Sequence, residues 1–156
     1  MVKINIICIG KIKDGYIREG ISEFSKRLSK YVKLNVVELS EEDENRGKDM
    51  AITEETGKIL NAISKRSKSY SILLDLKGRS ASSEEMAAKL EELSLNWSEI
   101  NFIIGGSNGV GDELRKKVNF RLSFSSLTFP HQLMRLILIE QIYRWVSINK
   151  NIKYHK

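Results

Sequence analysis

The chain has 156 residues, enough for one domain with its own core, and its composition is that of a globular protein, 41% hydrophobic and 29% charged. Lys and Arg number 26 against 20 Asp and Glu, and the resulting net charge of +6 favours a polyanionic partner such as nucleic acid. One cysteine and two histidines rule out an intrachain disulfide and leave too few ligands for a zinc site, and no apolar run has the length of a transmembrane helix, so a cytoplasmic protein without metal or membrane attachment is expected.

In chain order, VKINIICI (2–9) reads as a first, buried strand, with Cys8 as a small core residue. Tyr16, Ile17, Ile21, Phe24 and Leu28 then fall at helical spacing among lysines and arginines. VKLNVVEL (32–39) is a second strand, and the acidic SEEDENRG after it reads as a solvated loop. A polar helix over 48–65 carries Ile52, Ile59, Leu60 and Ile63 on one side. YSILLDL (70–76) is apolar on both faces, as buried parallel strands are. Ser82 and Glu85 have capping-box spacing for a helix running to about Leu95. INFIIGG (100–106) is a fourth strand and RLSF (121–124) a fifth. The alternation predicts a single α/β domain over residues 1–156, with a mostly parallel sheet flanked by helices.

Chemistry concentrates after the fourth strand, in FIIGGSNGVGDE (102–113), because ligands of α/β sheets bind beyond the carboxyl ends of strands. Gly105, Gly106, Gly109 and Gly111 fit the dinucleotide fingerprint in no register. Gly106 and Gly111 match the glycine spacing of a P-loop, but Asp112-Glu113 stand where Lys-Ser/Thr is required. Acidic residues suit the positive start of a helix and repel a phosphate brought to the same amides. The remaining readings are a turn that admits a ligand not led by phosphate, such as S-adenosylmethionine, and a tight turn with no ligand.

SFSSLTFPHQ (123–132) is a polar and aromatic loop with the only proline, Pro130, placed for the first turn of a helix and Thr128 as a candidate cap. It reads either as a plain helix lead-in or as a source of backbone groups for a flat ring. HQLMRLILIEQIYRWVSIN (131–149) is apolar nearly all round, which suits a central helix or one shared with a second copy, and a dimer is favoured. Glu140 and Arg144 have the spacing of a helical ion pair, though Arg144 could instead face RNA. The terminal NIKYHK reads as a frayed basic tail, or as a site in which Tyr154 stacks on a base and Lys156 meets phosphate.

IIGGSNGVG, LSFSSLTFPHQLMR, IEQIYR and the final YHK, in that order and at short spacing, resemble the RlmH-type 23S rRNA methyltransferases of the SPOUT superfamily. The resemblance spans the chain and is strongest over 102–156. It implies a C-terminal deep trefoil knot, a homodimer, and S-adenosylmethionine as methyl donor. It also implies methylation of a pseudouridine at N3 in the 23S rRNA of assembled ribosomes. By position it assigns the cofactor to Leu74, Gly105, Gly106, Phe124, Ser125, Ser126, Leu127, Thr128, Phe129 and Pro130. The substrate and catalytic side falls to Arg144, Tyr154, His155 and Lys156, with His155 as the general base. Lys153 stands where relatives often have proline, and Trp145-Val146 where they often have alanine and an aromatic. The competing class is a non-catalytic basic module that binds RNA or ribosomes, which accounts for the charge but not for the glycine turn beside an uncharged loop.

Overall fold

The computed structural model describes residues 1–156. Five strands, β1 (Val2–Ile9), β2 (Val32–Leu39), β3 (Ser69–Ser80), β4 (Glu99–Ile104) and β5 (Phe120–Ser123), form one sheet in the order β2-β1-β4-β3-β5. Every neighbouring pair is parallel. Between them run α1 (Gly15–Leu28), α2 (Lys48–Ser64), α3 (Ser83–Asn96) and the short α4 (Asp112–Lys117), and α5 (His131–Asn149) follows β5.

The two faces of the sheet follow from the two-residue period of its strands. Ile4, Ile6 and Cys8 of β1, with Phe102 and Ile104 of β4, meet Leu28 of α1, Met86 and Leu90 of α3, and Leu138, Ile142 and Trp145 of α5. The alternate residues Ile7, Ile9, Leu73 and Ile103 meet Ile59 and Ala62 of α2 and Leu114 of α4. The result is α1, α3 and α5 over one face and α2 and α4 over the other. The buried Asn5, Asn101 and Ser71 are register partners linked by side-chain hydrogen bonds of 2.8 and 3.1 Å, a polar ladder that satisfies their amides inside the sheet.

Several expectations are met and several are corrected. Ser82 and Glu85 do form a capping box, and α5 has the predicted bounds. β4 ends at Ile104, so Gly105 and Gly106 belong to the turn and not to the strand. Thr128 caps nothing: Pro130 holds the cap position of α5 and makes no side-chain cap bond. The buried face of α2 is Ala51, Glu55, Thr56, Ile59 and Ala62, one step round from the predicted stripe, because Gly111 and the acidic loop supply polar partners there. Part of the acidic loop is a 3-10 turn, Glu44–Arg46.

β3 runs further than expected because it breaks register. Leu74 and Arg79 both oppose Leu122 of β5, so residues 75–78 bulge out of the ladder. α5 is central within its own domain. It lies against α1, α3 and β4, and Leu136 fills the space over Gly20 of α1. Leu138, Ile139, Ile142, Trp145 and Val146 are buried within the chain, while Leu133, Leu136, Ile137 and Ile148 stay partly exposed. The fully buried Arg135 ties α5 to the end of β1, donating to the carbonyls of Ile9 (2.6 Å) and Gly10 (2.8 Å) and to Glu38 (2.9 Å).

Candidate active site

At the carboxyl ends of β4 and β5, beside the bulge in the middle of β3, lies a cavity of about 690 Å³, within the size range of small-molecule sites. Three segments wall it: the bulge of β3 from Leu74 to Lys77, the glycine turn after β4, and the loop between β5 and α5. The sequence separates these walls by tens of residues, and the parallel sheet sets their ends side by side.

The glycine turn is closed by the Gly109 amide donating to the Gly106 carbonyl at 3.0 Å, with Gly109 at φ +90, where glycine is favoured. A side chain on either of its first two residues would force a neighbouring side chain to move. A Cβ on Gly105 would lie 2.6 Å from Val110 Cγ1, and one on Gly106 would lie 2.7 Å from Glu55 Oε1. Asp112 and Glu113 occupy the first turn of α4, as an acidic helix start should.

In the 124–130 loop, Ser125 Oγ accepts from the Leu127 amide at 3.0 Å, while the Ser125 carbonyl accepts from Ser123 Oγ at 3.2 Å. Phe124 packs edge-on to Trp145, with ring centroids 6.4 Å apart, which anchors the loop to α5. Leu127 is 70% exposed and Leu76, across the cavity, 50%, so both sides of the mouth are apolar.

Leu74, Gly105, Gly106, Phe124, Ser125, Leu127, Thr128, Phe129 and Pro130 all line this cavity; of the predicted cofactor set only Ser126 does not, its side chain lying exposed in the loop. The sequence reading missed Asp75, Arg115, Val110 and His131, which also line it. Asp75 had no motif to mark it. It receives Arg115 at 3.2 Å and Arg121 at 3.5 Å, and Arg115 also holds Asp112 at 2.9 Å. The guanidinium at this cavity is thereby paired with carboxylates. Burial, followed by the neighbouring Arg135, lowers the pKa of His131, so its imidazole is uncharged at neutral pH. Its place directly after the lone proline was the available signal.

The predicted substrate residues form a separate cluster near the other end of α5. Glu140 Oε2 accepts from Arg144 at 2.7 Å and from the Tyr154 hydroxyl at 2.8 Å. The Tyr154 phenol is pushed to a higher pKa by burial and by that carboxylate. Its ring lies 4.8 Å from that of Tyr143 and carries the Arg144 guanidinium on its face. Arg144 donates to His155 Nδ1 at 3.1 Å; since arginine only donates, the proton sits on Nε2, which donates to Glu84 at 2.6 Å. The tail is therefore docked and not frayed, and both ring nitrogens of His155 are engaged. Lys156 is exposed and ends the chain. From Met134, which lines the cavity, to Arg144 is ten residues of helix, about 15 Å of rise at 1.5 Å per residue.

A family model described as "Predicted SPOUT methyltransferase" matches residues 2–155. The chain belongs to the SPOUT methyltransferase family. The ribosomal RNA large subunit methyltransferase H of Fusobacterium nucleatum is 55% identical over 156 residues, covering 99% of this chain and 100% of that protein. The protein of the same description from Caldicellulosiruptor saccharolyticus is 46% identical over 155 residues, covering 98% and 99%. Among solved structures, a probable methylase family protein from Haemophilus influenzae Rd KW20 aligns with a TM-score of 0.60 at 16% identity, over 98% of this chain and 70% of that one, a likeness of fold.

SPOUT methyltransferases use S-adenosylmethionine, and membership makes this chain an S-adenosylmethionine-dependent methyltransferase. The cavity fits that donor. Its glycine turn exposes backbone, its loop offers uncharged amides and carbonyls beside Phe124 and Phe129, and its one arginine is already paired. No group of histidine, cysteine and carboxylate side chains is arranged to hold a metal ion, and no helix is long and apolar enough to cross a membrane.

Proposed function

We propose that this chain methylates N3 of a pseudouridine in the 23S rRNA of assembled ribosomes. The observation that carries the reading is full-length identity of 55% to a ribosomal RNA large subunit methyltransferase H, in a chain whose glycine turn and uncharged loop meet at one cavity. In this reading Leu74, Gly105, Gly106 and residues 124–130 hold the donor, mainly through backbone groups, with Ser126 contributing from the loop. The donor supplies an electrophilic methyl carbon on a positively charged sulfur. What the protein adds is alignment of N3 with that carbon.

The imide proton must leave N3 for the nitrogen to attack. His155 receives it in this proposal, which requires Nδ1 to give up Arg144. Arg144, freed, meets the negative charge that develops on the ring oxygens, Tyr154 stacks on the base and Lys156 meets the backbone. Because one chain keeps this cluster about 15 Å of helix from its own cavity, the reading calls for a homodimer in which each copy serves the other's cavity. A deep trefoil knot accords with the strand order, since the chain leaves central β4, reaches the edge at β5, and returns to α5 on the opposite face from α4.

Mass spectrometry of rRNA fragments from cells with and without the gene tests the substrate: one methyl group on a large-subunit pseudouridine should vanish with the gene. An unchanged methylation pattern refutes the assignment. Calorimetric titration with S-adenosylmethionine separates an enzyme from a non-catalytic RNA-binding module, which would give no heat.

A further inference from the structure

The proposed reaction has no use for the acidic segment between β2 and α2 or for the buried polar pair in the middle of α2, yet both meet the glycine turn from behind. Three contacts fall at successive points of that turn. Glu44 Oε1 accepts from Asn108 Nδ2 at 2.7 Å. Thr56 Oγ1 accepts from the Gly111 amide at 2.9 Å. Ahead of both in the turn, Glu55 Oε1 faces Gly106 so closely that a Cβ there would stand 2.7 Å away.

Glu55 is 3% exposed, and only half of its carboxyl is used: Oε2 accepts from the Glu42 amide at 3.0 Å, while Oε1 has no hydrogen-bond partner. A buried acid with an idle oxygen is costly, and a hydrophobic side chain would satisfy packing alone at less cost. Burial accordingly raises its pKa. The turn needs something outside itself, because its one internal backbone bond, Gly109 to Gly106, fixes its shape but not its placement against β3 and the 124–130 loop. Gly106 lines the cavity on one side and meets Glu55 on the other.

We propose that Glu55, flanked by Thr56 and Glu44, is a positioning residue for the methyl donor: it sets how tightly the cavity holds the donor without touching the donor or the reacting atoms. The three side chains form a brace that presses the turn toward the cavity from the α2 face. This rests on the reading that the cavity binds S-adenosylmethionine. It assigns a task to SEEDENRG, whose Glu44 is one end of the brace and whose Glu42 amide orients Glu55.

The test uses the full chain, with calorimetric titration of S-adenosylmethionine and S-adenosylhomocysteine and steady-state methylation of ribosomes. Glu55→Gln and Thr56→Val are expected to raise Kd for both compounds and KM for the donor about tenfold, with kcat at saturating donor within about twofold of wild type. Thr56→Ser keeps the accepting hydroxyl and should restore wild-type values. Gly57→Ala, on the exposed side of α2 with nothing within 4 Å of its Cβ, should change nothing. Glu44 is exposed, so Glu44→Ala leaves the core intact and should raise Kd about threefold even if the buried variants fold poorly. Wild-type Kd in Glu44→Ala and in whichever of Glu55→Gln and Thr56→Val melt normally overturns the brace. So does a fall in kcat at unchanged KM. A wild-type protein that takes up no donor overturns the underlying reading, and the brace with it, so the two failures are distinct.

Discussion

Gly78→Ala should disturb the candidate site from a residue that touches none of its contents. Gly78 closes the bulge of β3, where four residues leave the ladder between Leu74 and Arg79. A Cβ there would sit 2.7 Å from the carbonyl carbon of Arg121, 2.8 Å from its oxygen and 2.9 Å from the amide nitrogen of Leu122. These are backbone atoms, so no side-chain rotation relieves the overlap. Reaching ordinary contact at about 3.5 Å requires β5 to retreat by roughly 0.8 Å from the closest of these positions. β5 has only four residues, pairs with β3 alone, and leads directly into the cavity loop. Overpacking of this kind costs about 1–3 kcal/mol, and at about 2–4 °C per kcal/mol for a chain of this size the melting temperature should fall by roughly 2–12 °C. Because Leu122 and Phe124 line the cavity, the retreat should weaken donor binding at temperatures where the variant remains folded. Scanning calorimetry with and without S-adenosylmethionine reads both effects. A Gly78→Ala protein with wild-type melting temperature and donor affinity would refute the placement of β5 against the bulge.

Two further outcomes follow from the docked tail and from the cavity histidine. Tyr154→Ala removes a ring packed on Tyr143 and Phe24, an arginine–aromatic contact and a hydrogen bond to Glu140, so urea denaturation should show a loss of roughly 2–3 kcal/mol, while Tyr154→Phe should lose only about 1; equal stability of the Ala variant and wild type would mean the tail is loose in solution. His131 has a folded pKa below its ordinary 6.5, so between the two values the unfolded chain binds more protons. Its contribution is intact above pH 6.5, declines as pH falls below 6.5, and levels off beneath the folded pKa. Arg135 and Lys13 oppose the charged imidazole and Glu41 favours it. His131→Asn should therefore flatten the acid-side decline in the urea midpoint, and an unaltered slope between pH 6.5 and 5 would refute it.

How much was legible in the sequence depended on the range of the forces involved. The five strands, the capping box at Ser82 and the bounds of α5 were readable because period, caps and breakers act within a few residues. The rejection of a P-loop also needed only Asp112 and Glu113 beside their glycines. The 124–130 loop and Gly105-Gly106 were named together through resemblance, and the parallel sheet places them around one cavity. Asp75 carried no spacing signal, because it borders the cavity through a register break in β3 that local pattern does not encode.

Glu55 shows the division most clearly. On its helix it is one polar residue among several, and the sequence reading put apolar residues on the inward side. Sequence alone determined that a strand, a glycine turn and an acidic helix start follow one another, because steric freedom and the helix dipole are local. Tertiary structure decided that α2 covers the back of that turn, that residues 74–77 wall the cavity in front of it, and that the tail docks on Glu140 and Glu84. Such contacts join segments up to 71 positions apart, and only the packing of helices on a parallel sheet brings them within reach of one another.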